Sequence, residues 1–461
     1  MKIYNTLSKE YDALEIKHNT VKIYLCGITV YDDSHIGHAR TIIIFDVLHR
    51  YLLSQGYKVI FIQNFTDIDD KIIKKAKLLN KNPKEIAEKY IEHYFQDASS
   101  LNVIEEIYYP KATEHIKEIL ELIKDLLEKN YAYITLNGIY FEVKKFSQYG
   151  KLSRKTGNSI ESGARIEIDP LKKDPLDFAL WKFSADPPFW ESPWGNGRPG
   201  WHIECSAMAL KHLGDTVDIH GGGNDLIFPH HENEIAQSEA KTGVEFSKIW
   251  MHCGMVSINA EKMSKSLGNI VTITNAINQW GANTIRILCL STQYSKPLEY
   301  TLSNLIEAQS KWRLIENCFY ELNSPIVTEE SVDTPLISHS ILSLIRNHLE
   351  NDFNTPLALF EFLKFVSVIN EYITNEKITK KVSDLILPIF KEIMYIFGLK
   401  ILELTPIEIE KVNELIVQRN KFRQTKEFQE SDNIRNSLKE KYGVELIDHK
   451  NYRTIWKKVE K

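Results

Sequence analysis

Two kinds of apolar block alternate in the first part of the chain. Residues 21–25 and 58–63 are short, mostly apolar runs with the length of buried strands. Residues 42–48, 69–79 and 83–101 carry apolar side chains at helical spacing. Strands that alternate with helices in this way are typical of a parallel sheet with helical crossovers. We therefore predict an α/β fold built on a Rossmann-like parallel sheet.

Polar residues directly follow both predicted strands. Cys26 and Gly27 come after the first strand, and residues 64–67 (Asn-Phe-Thr-Asp) come after the second. Because the carboxyl ends of parallel strands meet at one edge of a sheet, we expect these residues at the edge where such proteins bind ligands.

The pattern changes near residue 108. A helix is predicted at 113–129, and a β-hairpin at 131–143 turns at Asn137-Gly138. Polar sequence follows, so we interpret residues 108–185 as an insertion between two halves of the sheet domain. Residues 181–201 are rich in Trp, Pro and Gly and are predicted to form an ordered loop. Further along, we predict a helix at 203–213, a strand at 217–220, a helix at 232–241 capped by Gly243, and a strand at 250–256.

The last third of the chain has a different pattern. Helical spacing without strand signals predicts a bundle of four helices, and the sequence 405–408 (Thr-Pro-Ile-Glu) predicts the start of another helix by a capping box. Residues 444–458 are β-rich, which completes a small mixed α/β unit at the end of the chain. The bundle helices are predicted at 302–322, 337–351, 356–374 and 383–397.

Composition narrows the class of protein. The 461 residues have a net charge of -5 and are 43% hydrophobic, which is ordinary for a globular protein. Residues 411–461 nevertheless hold 13 Lys/Arg against 8 Asp/Glu, a local basic excess. Five widely spaced cysteines argue for a reducing compartment. No signal peptide or membrane-spanning run is visible, so we expect a cytoplasmic protein.

A metal site is the first candidate for chemistry. Cys26 and Cys205 lie beside predicted strand or helix ends, and His230 and Glu234 share one helix face at i, i+4. Two thiolates, an imidazole and a carboxylate form a four-donor set suited to zinc. Spacing alone leaves the alternative open that the cysteines are small core residues, since no C-x-x-C pair is present.

Phosphate binding is the second candidate. His35, Gly37 and His38 lie where a strand passes into a helix, and a helix start attracts phosphate. Lys262 and Lys265 supply two ammonium groups in a later loop, which could close over a triphosphate. A polar helix cap and two solvated lysines are the simpler alternatives, and a Walker sequence is absent.

In combination these motifs resemble a known family. Residues 35–38 (His-Ile-Gly-His) and 262–266 (Lys-Met-Ser-Lys-Ser), in this order on an α/β chain, resemble the two signatures of class I aminoacyl-tRNA synthetases. The whole chain is similar to the cysteinyl-tRNA synthetase family, although Ile28 stands where that family more usually has proline. The segments that carry this similarity are 24–32, 66–71, 197–206, 220–226, 228–234 and 352–356.

The resemblance implies a chemistry for the named residues. It implies a cysteine–tRNA ligase that forms cysteinyl adenylate from ATP, with Mg²⁺, and transfers the cysteine to tRNA. One zinc ion per chain, held by Cys26, Cys205, His230 and Glu234, would bind the substrate thiolate. Roles in catalysis fall to His35, His38, Lys262 and Lys265, with Gly37 and Lys265 contacting the nucleotide.

The resemblance also implies residues that bind cysteine and tRNA. Ordinary packing is the alternative for the pocket residues, and a solvated surface is the alternative for the tRNA residues. Thr29, Thr66, Trp201 and His220 would line the pocket for L-cysteine, and Arg423, Phe428 and Asp432 would contact tRNA. We expect a monomer. The implied domains are a catalytic Rossmann-like domain in two halves (1–107 and 186–256), the insertion (108–185), a signature-loop and stem-contact region (257–301), a tRNA-binding helical bundle (302–400) and an anticodon-recognition unit (401–461).

Two other functions remain possible from the sequence. A related family joins cysteine to an amino sugar with the same adenylation site, but it lacks the C-terminal unit. A catalytically silent, zinc-containing RNA-binding paralogue would have no need of His35, His38, Lys262 and Lys265, which this chain retains.

Overall fold

The computed structural model describes residues 1–155, 170–258, 261–262, 270–324, 340–375, 378–449 and 454–459, with only the backbone of 261–262. The chain divides into two compact units. Unit 1 comprises Met1–Leu305 and Asn347–Pro356, and unit 2 comprises Ile306–Arg346 and Leu357–Lys461.

A four-stranded parallel sheet lies at the centre of unit 1, as the alternating pattern predicted. Its strand order is β10-β9-β3-β4, and Tyr24 on the central strand pairs with Ile62 on one side and with His220 on the other. The first strand extends past the apolar run to Thr29, because Ile28 and Thr29 still pair with Phe65 and Thr66 after an irregularity. The strands are β3 (Thr20–Thr29), β4 (Lys58–Thr66), β9 (Val217–Gly223) and β10 (Ser247–Cys253).

Helices cover this sheet and connect its strands. The predicted cap at Gly243 is confirmed, since this residue has a positive φ of 73° directly after α6. Proline at the first position of α3 also suits a helix start. The helices of unit 1 are α1 (Ile36–Ser54), α2 (Asp70–Leu79), α3 (Pro83–Ser100), α4 (Ile116–Glu128), α5 (Trp201–Leu213), α6 (Glu232–Thr242), α7 (Ile273–Trp280) and α8 (Ala282–Leu290).

A four-stranded antiparallel sheet combines three strands of the inserted region with a fourth strand that lies beyond residue 185. The hairpin predicted around Asn137-Gly138 is present. Part of the predicted loop at 181–201 is wrong, because the end of β7 and all of β8 lie in it and pair with each other. Gly197 makes this pairing possible, since a Cβ there would lie 2.4 Å from Trp181 Nε1. The strands are β5 (Ala132–Ile134), β6 (Gly138–Phe141), β7 (Phe178–Phe183) and β8 (Gly197–Pro199).

Two small sheets complete unit 1. One is an antiparallel pair at the N-terminus, and the other places β11 between β12, which is antiparallel to it, and β13, which is parallel to it. The strand predicted at 250–256 is therefore two strands, which belong to different sheets. The strands of the small sheets are β1 (Lys2–Asn5), β2 (Glu10–Ala13), β11 (Val256–Ile258), β12 (Glu261–Lys262) and β13 (Leu298–Glu299).

The later part of the chain is helical until a final hairpin. Thr405 and Glu408 form the predicted capping box, and a separate apolar core around Val412 and Leu438 joins the last helices to the hairpin. No described helix has both the length and the hydropathy to span a membrane. The elements are α9 (Leu302–Leu322), α10 (Ile341–Glu350), α11 (Thr355–Thr374), α12 (Lys380–Phe397), α13 (Pro406–Gln424), α14 (Phe428–Ser437), β14 (Val444–Asp448) and β15 (Thr454–Lys458).

Candidate active site

A cleft of about 1040 Å³ opens at the carboxyl ends of the parallel strands of unit 1. Residues from the end of β3, from the start of α1 and from the start of α5 line it, among them Cys26, His35 and Trp201. This is the sheet edge at which the sequence predicted a ligand site, because polar groups at neighbouring strand ends meet there.

The four predicted metal ligands converge at this cleft. Cys26 lies near the end of β3, and Cys205 lies one turn into α5. His230 lies in the helical turn Ile227–His231 that leads into α6, and Glu234 lies four residues later in the first turn of α6. All four are buried, and one ligand atom from each lies within 4.8 Å of the others. The chain thus brings together two sulfur donors, one nitrogen donor and one oxygen donor from three separate segments.

Glu234 is the carboxylate of this cluster. Its Oε1 lies 3.2 Å from Cys26 Sγ and 3.0 Å from His230 Nε2, and its Oε2 lies 3.4 Å from His220 Nε2. Burial by itself raises the pKa of Glu234, but the charges of His220 and His230 outweigh burial and hold it well below its ordinary value. Burial likewise lowers the pKa of His230, but Glu234 outweighs it and raises that pKa to about 10.

The two thiols differ from each other. Burial raises the pKa of Cys26 well above its ordinary value. Burial also raises the pKa of Cys205, but a hydrogen bond with Cys26 and the charge of His230 bring it down to about 6. The cluster therefore favours one thiolate at neutral pH, and thiolate is the form in which cysteine binds metal ions.

A second group of imidazoles, which the sequence analysis did not find, surrounds the same carboxylate. Cys26, His220, His231 and Glu234 also have ligand atoms within 4.8 Å of one another. His231 continues into a buried chain, since its Nδ1 lies 2.8 Å from His252 Nε2, and His252 Nδ1 lies 2.8 Å from Thr6 Oγ1. The sequence signal was the second histidine of the pair 230–231, which lies three residues before Glu234.

The residues present fit a zinc ion. Two sulfurs with an imidazole and a carboxylate are donors that zinc accepts in a tetrahedral site. Glu234 Oε2 of this set, and the ring nitrogens His220 Nδ1 and His231 Nε2 beside it, are buried and make no hydrogen bond with the part of the chain that the structure describes. A buried polar cluster with unsatisfied atoms is what a metal-binding site presents when only its protein atoms are considered.

The middle of the 230–234 segment has a structural role. The Glu232 carboxylate, fully buried, accepts hydrogen bonds from the backbone amides of Gly150 and Ser153 at 2.9 and 2.7 Å. Asn233 Oδ1 accepts a hydrogen bond from Tyr149 OH at 2.5 Å. These contacts fix the inserted region next to the turn that carries His230.

His35 and His38 lie at the start of α1 and line the cleft. Their rings stack at 3.7 Å, and each Nδ1 accepts a hydrogen bond from the other residue's backbone N–H, at 3.3 and 3.4 Å. With Nδ1 as an acceptor, the hydrogen of each neutral ring is on Nε2. Both rings are thus in the tautomer that can donate from Nε2 to a phosphate oxygen.

The predicted signature lysines are only partly described. Lys262 lies in β12, whose backbone pairs with β11, and its side chain is outside the described residues, as is all of Lys265. The segment that follows the undescribed residues returns to α1, since Ile36 N–H donates to Val271 O at 3.1 Å and Ile273 N–H donates to Ser34 O at 3.0 Å.

Three of the four predicted pocket residues line the cleft. Thr29 and Thr66 lie at the ends of adjacent strands, and Trp201 is 37% exposed with its ring 4.4 Å from that of His230. His220 does not line the cleft. It is fully buried, stacks on Trp250 at 4.4 Å, and lies 3.4 Å from Cys26 Sγ, because its β9 position faces the interior.

The predicted tRNA residues lie in unit 2. Phe428 begins α14 and is 61% exposed, and Asp432 on the same helix is exposed. Arg423 Nη1 lies 2.9 Å from Asp448 Oδ1. Arg419 and Arg435 contact the same carboxylate at 2.8 and 3.3 Å, and no pattern in the sequence indicated these two partners.

Comparison with known proteins identifies the class. A family model described as the catalytic domain of class I (C) tRNA synthetases matches residues 13–310. Among solved structures, a methionyl-tRNA synthetase of Mycobacterium tuberculosis in complex with methionyl-adenylate aligns with a TM-score of 0.59 at 15% identity, covering 82% of this chain and 88% of that chain. A LeuRS–tRNA–LeuAMS complex of Agrobacterium radiobacter K84 aligns with a TM-score of 0.60 at 11% identity, covering 82% and 84%. The fold is that of the class I aminoacyl-tRNA synthetases.

Curated relatives narrow the class to one family. The cysteine–tRNA ligase of Thermodesulfovibrio yellowstonii is 43% identical over 485 residues, which cover 99% of each chain. The cysteine–tRNA ligase of Pyrococcus horikoshii is 44% identical over 475 residues, which cover 100% of this chain and 99% of the relative. This chain belongs to the cysteine–tRNA ligase family, and it is an enzyme.

Proposed function

We propose that this enzyme attaches L-cysteine to its cognate tRNA in two steps, with ATP as the energy source. The observation that carries the proposal is the arrangement of the cleft. Two thiols, an imidazole and a carboxylate converge on one side of it, and the stacked His35 and His38 lie on another. The thiol side suits recognition of the substrate sulfur. The histidine side suits the α-phosphate of ATP, from which pyrophosphate is displaced.

Zinc is the ion that we propose for the cluster of Cys26, Cys205, His230 and Glu234, at one per chain. When bound there, zinc supplies a sulfur-preferring centre that lowers the pKa of a coordinated thiol, so that cysteine is selected as thiolate while serine keeps its proton. A pocket that recognises shape alone separates near-isosteres by about 1–3 kcal/mol, whereas a specific polar contact reaches about 10⁴-fold.

The other cleft residues orient the two reactants. The Trp201 ring lies 4.4 Å from that of His230, and Thr29 and Thr66 close the adjacent wall. The amino and carboxyl groups of cysteine would therefore be directed towards α1. Such positioning lowers the entropy cost of bringing carboxylate and phosphorus together. His220 acts behind this wall, on Cys26 and Glu234.

Adenylation then proceeds by in-line attack. A carboxylate oxygen of cysteine bonds to the α-phosphorus of ATP, and the bond from that phosphorus to the β-phosphate oxygen breaks, which releases pyrophosphate. The Nε2–H groups of His35 and His38 donate to the charge that grows on the phosphate oxygens. We assign Gly37 to close nucleotide contact, Lys262 and Lys265 to the triphosphate, and Mg²⁺ to ATP.

Transfer to tRNA completes the reaction. A hydroxyl of the terminal adenosine attacks the adenylate carbonyl and AMP leaves, so no covalent enzyme intermediate is needed. We propose that residues 1–107 and 186–256 carry the chemistry, 108–185 form the insertion, 257–301 hold the signature loop, 302–400 bind tRNA, and 401–461 read the anticodon through Arg423, Phe428 and Asp432. We expect the enzyme to act as a cytoplasmic monomer.

A charging assay tests this proposal. The purified zinc-loaded protein is incubated with cysteine, ATP and cognate tRNA, and both cysteine-dependent pyrophosphate exchange and cysteinyl-tRNA are measured. We expect both activities with cysteine and neither with serine. Pyrophosphate exchange without charged RNA, together with acylation of an amino sugar, would instead identify a cysteine:amino-sugar ligase. No exchange with cysteine would identify a silent RNA-binding paralogue.

A further inference from the structure

Arg40 is a buried arginine beside the cleft that has no role in the reaction proposed above. It lies on α1, two residues after His38, and its side chain is fully buried. Its two terminal nitrogens donate to five backbone carbonyls at 2.5–3.3 Å, and in the described part of the chain no carboxylate lies within ion-pair distance of it. The five acceptors are the carbonyl oxygens of Gly254, Met255, Gln293, Tyr294 and Lys296.

These carbonyls belong to two segments that meet at the cleft. Gly254 and Met255 line the cleft directly after β10 and lead into β11. Residues 293–296 lead into β13, which pairs with β11. The two segments touch, since a Cβ on Gly254 would lie 2.2 Å from Lys296 O. Because the guanidinium is a rigid planar fork, it fixes both segments in one geometry.

The strand pair beyond these segments carries a proposed catalytic residue. β11 pairs in antiparallel fashion with β12, in which Lys262 lies opposite Ser257. The chain after the undescribed residues 263–269 is also attached to α1, through the backbone bonds of Ile36 with Val271 and of Ile273 with Ser34. The helix with the two cleft histidines therefore holds the chain before and after the signature sequence.

We propose that Arg40 is a positioning residue for ATP: it fixes the wall at 254–255 and the base of the Lys262 strand relative to His35 and His38. The inference rests on the proposed adenylation. In-line displacement needs groups on both sides of the triphosphate in a defined geometry, and a displacement of about 1 Å in such a site can cost about 100-fold in rate.

Arg40→Lys tests the proposal most directly. The lysine keeps the positive charge, but its three donors radiate from one atom and cannot bridge both segments in the same geometry. We expect the kcat of cysteine-dependent pyrophosphate exchange to fall by about 100-fold and the KM for ATP to rise. The KM for cysteine and the bound zinc should stay at wild-type values, because the thiol and imidazole cluster does not contact Arg40.

Arg286→Lys is the matched control. Arg286 is equally buried, but it donates to the Asp46 carboxylate at 2.5 Å and to Leu101 O at 2.9 Å, and it does not line the cleft. We expect this variant to lose thermal stability while its KM for ATP stays unchanged. If Arg40→Lys behaves like Arg286→Lys, with kcat and KM for ATP at wild-type values, the role of Arg40 is only structural and the proposal is wrong.

Hydrogen exchange provides a readout that does not depend on activity. In Arg40→Lys we expect faster exchange at the amides of Gly254, Leu298 and Tyr300, whose hydrogen bonds join the two segments, and unchanged exchange in β9. Unchanged exchange at all three amides would refute the inference. If the wild-type enzyme shows no cysteine-dependent pyrophosphate exchange, the proposed function is wrong. The hydrogen-exchange measurement at the three amides would still decide whether Arg40 fixes these segments.

Discussion

Glu234 in unit 1 and Asp448 in unit 2 each contact several nitrogen-bearing side chains, and the two clusters suit opposite ligands. In unit 1, the fully buried Glu234 has two imidazoles and the Cys26 thiol as partners, with contacts of 3.0–3.4 Å. In unit 2, Asp448 has guanidinium groups as partners, at 2.8–3.3 Å, and its side chain is 20% exposed.

The difference lies in which partners can release protons. Imidazoles and thiols can lose theirs, and the deprotonated atoms then become donors to a cation. Guanidinium groups do not lose protons in proteins, so Arg419, Arg423 and Arg435 keep three positive charges around one negative charge. The first cluster is therefore suited to a metal ion and the second to an anion such as an RNA phosphate.

The substitution Cys205→Ser should have the largest effect on this comparison. It replaces a thiolate donor by a hydroxyl, so we expect loss of bound zinc and of a cysteine-over-serine preference of about 10⁴-fold or more. Zinc is measured by atomic emission and preference by pyrophosphate exchange with each amino acid. Cys318→Ser is the control, because Cys318 is also fully buried but lies outside the cluster. Retention of both zinc and preference would remove Cys205 from the site.

An intermediate effect is expected from Arg423→Gln. Three guanidinium groups surround the single Asp448 carboxylate, and this variant removes one of the positive charges that would bind RNA phosphate. We expect the KM for tRNA to rise by about tenfold and pyrophosphate exchange to stay unchanged. Lys241→Gln serves as control, because Lys241 pairs with Asp125 at 3.0 Å in unit 1 and lies outside the segments proposed to bind tRNA. Equal tRNA kinetics in the two variants would argue that the Asp448 cluster is structural and does not bind RNA.

The smallest effect concerns acid stability. Burial raises the pKa of Asp448, but hydrogen bonds from Arg419 and Thr454 and the charges of Arg419 and Arg423 outweigh it and lower the pKa to about 2. Because the folded pKa is below the unfolded value of about 3.9, the stabilisation is complete above pH 4 and is lost as the pH falls towards 2.

Asp448→Asn should therefore lower the melting temperature at pH 7 by about 3 °C, with the difference from wild type shrinking between pH 4 and pH 2. Calorimetry over this pH range measures the difference, and the exposed Asp384→Asn on α12 is the control. A difference that stays constant down to pH 2 would mean that the carboxylate charge contributes nothing.

Local sequence patterns predicted much of the fold. Alternation of apolar runs and helical spacing gave the parallel sheet, and the capping box at Thr405 gave the start of α13, since both depend on neighbours along the chain. The loop predicted at 181–201 was partly wrong, because local patterns do not show which distant segments pair. β7 and β8 form there because the two segments pair with each other, with Gly197 and Gly200 packed against the backbone or ring of a residue on β7.

In the candidate site, too, local patterns predicted some features and contacts between distant segments determined the others. The sequence was enough to place His230 about one helical turn before Glu234, and His35 and His38 at the start of a helix, because helical periodicity brings residues three and four apart close together. Packing between remote elements brings Cys26 and Cys205 to His230 and Glu234 and places His220 behind the cleft. It also brings together the two distant segments that Arg40 holds. Contacts between remote segments depend on how strands and helices pack, and the carbonyl acceptors of Arg40 belong to the backbone, which every residue shares.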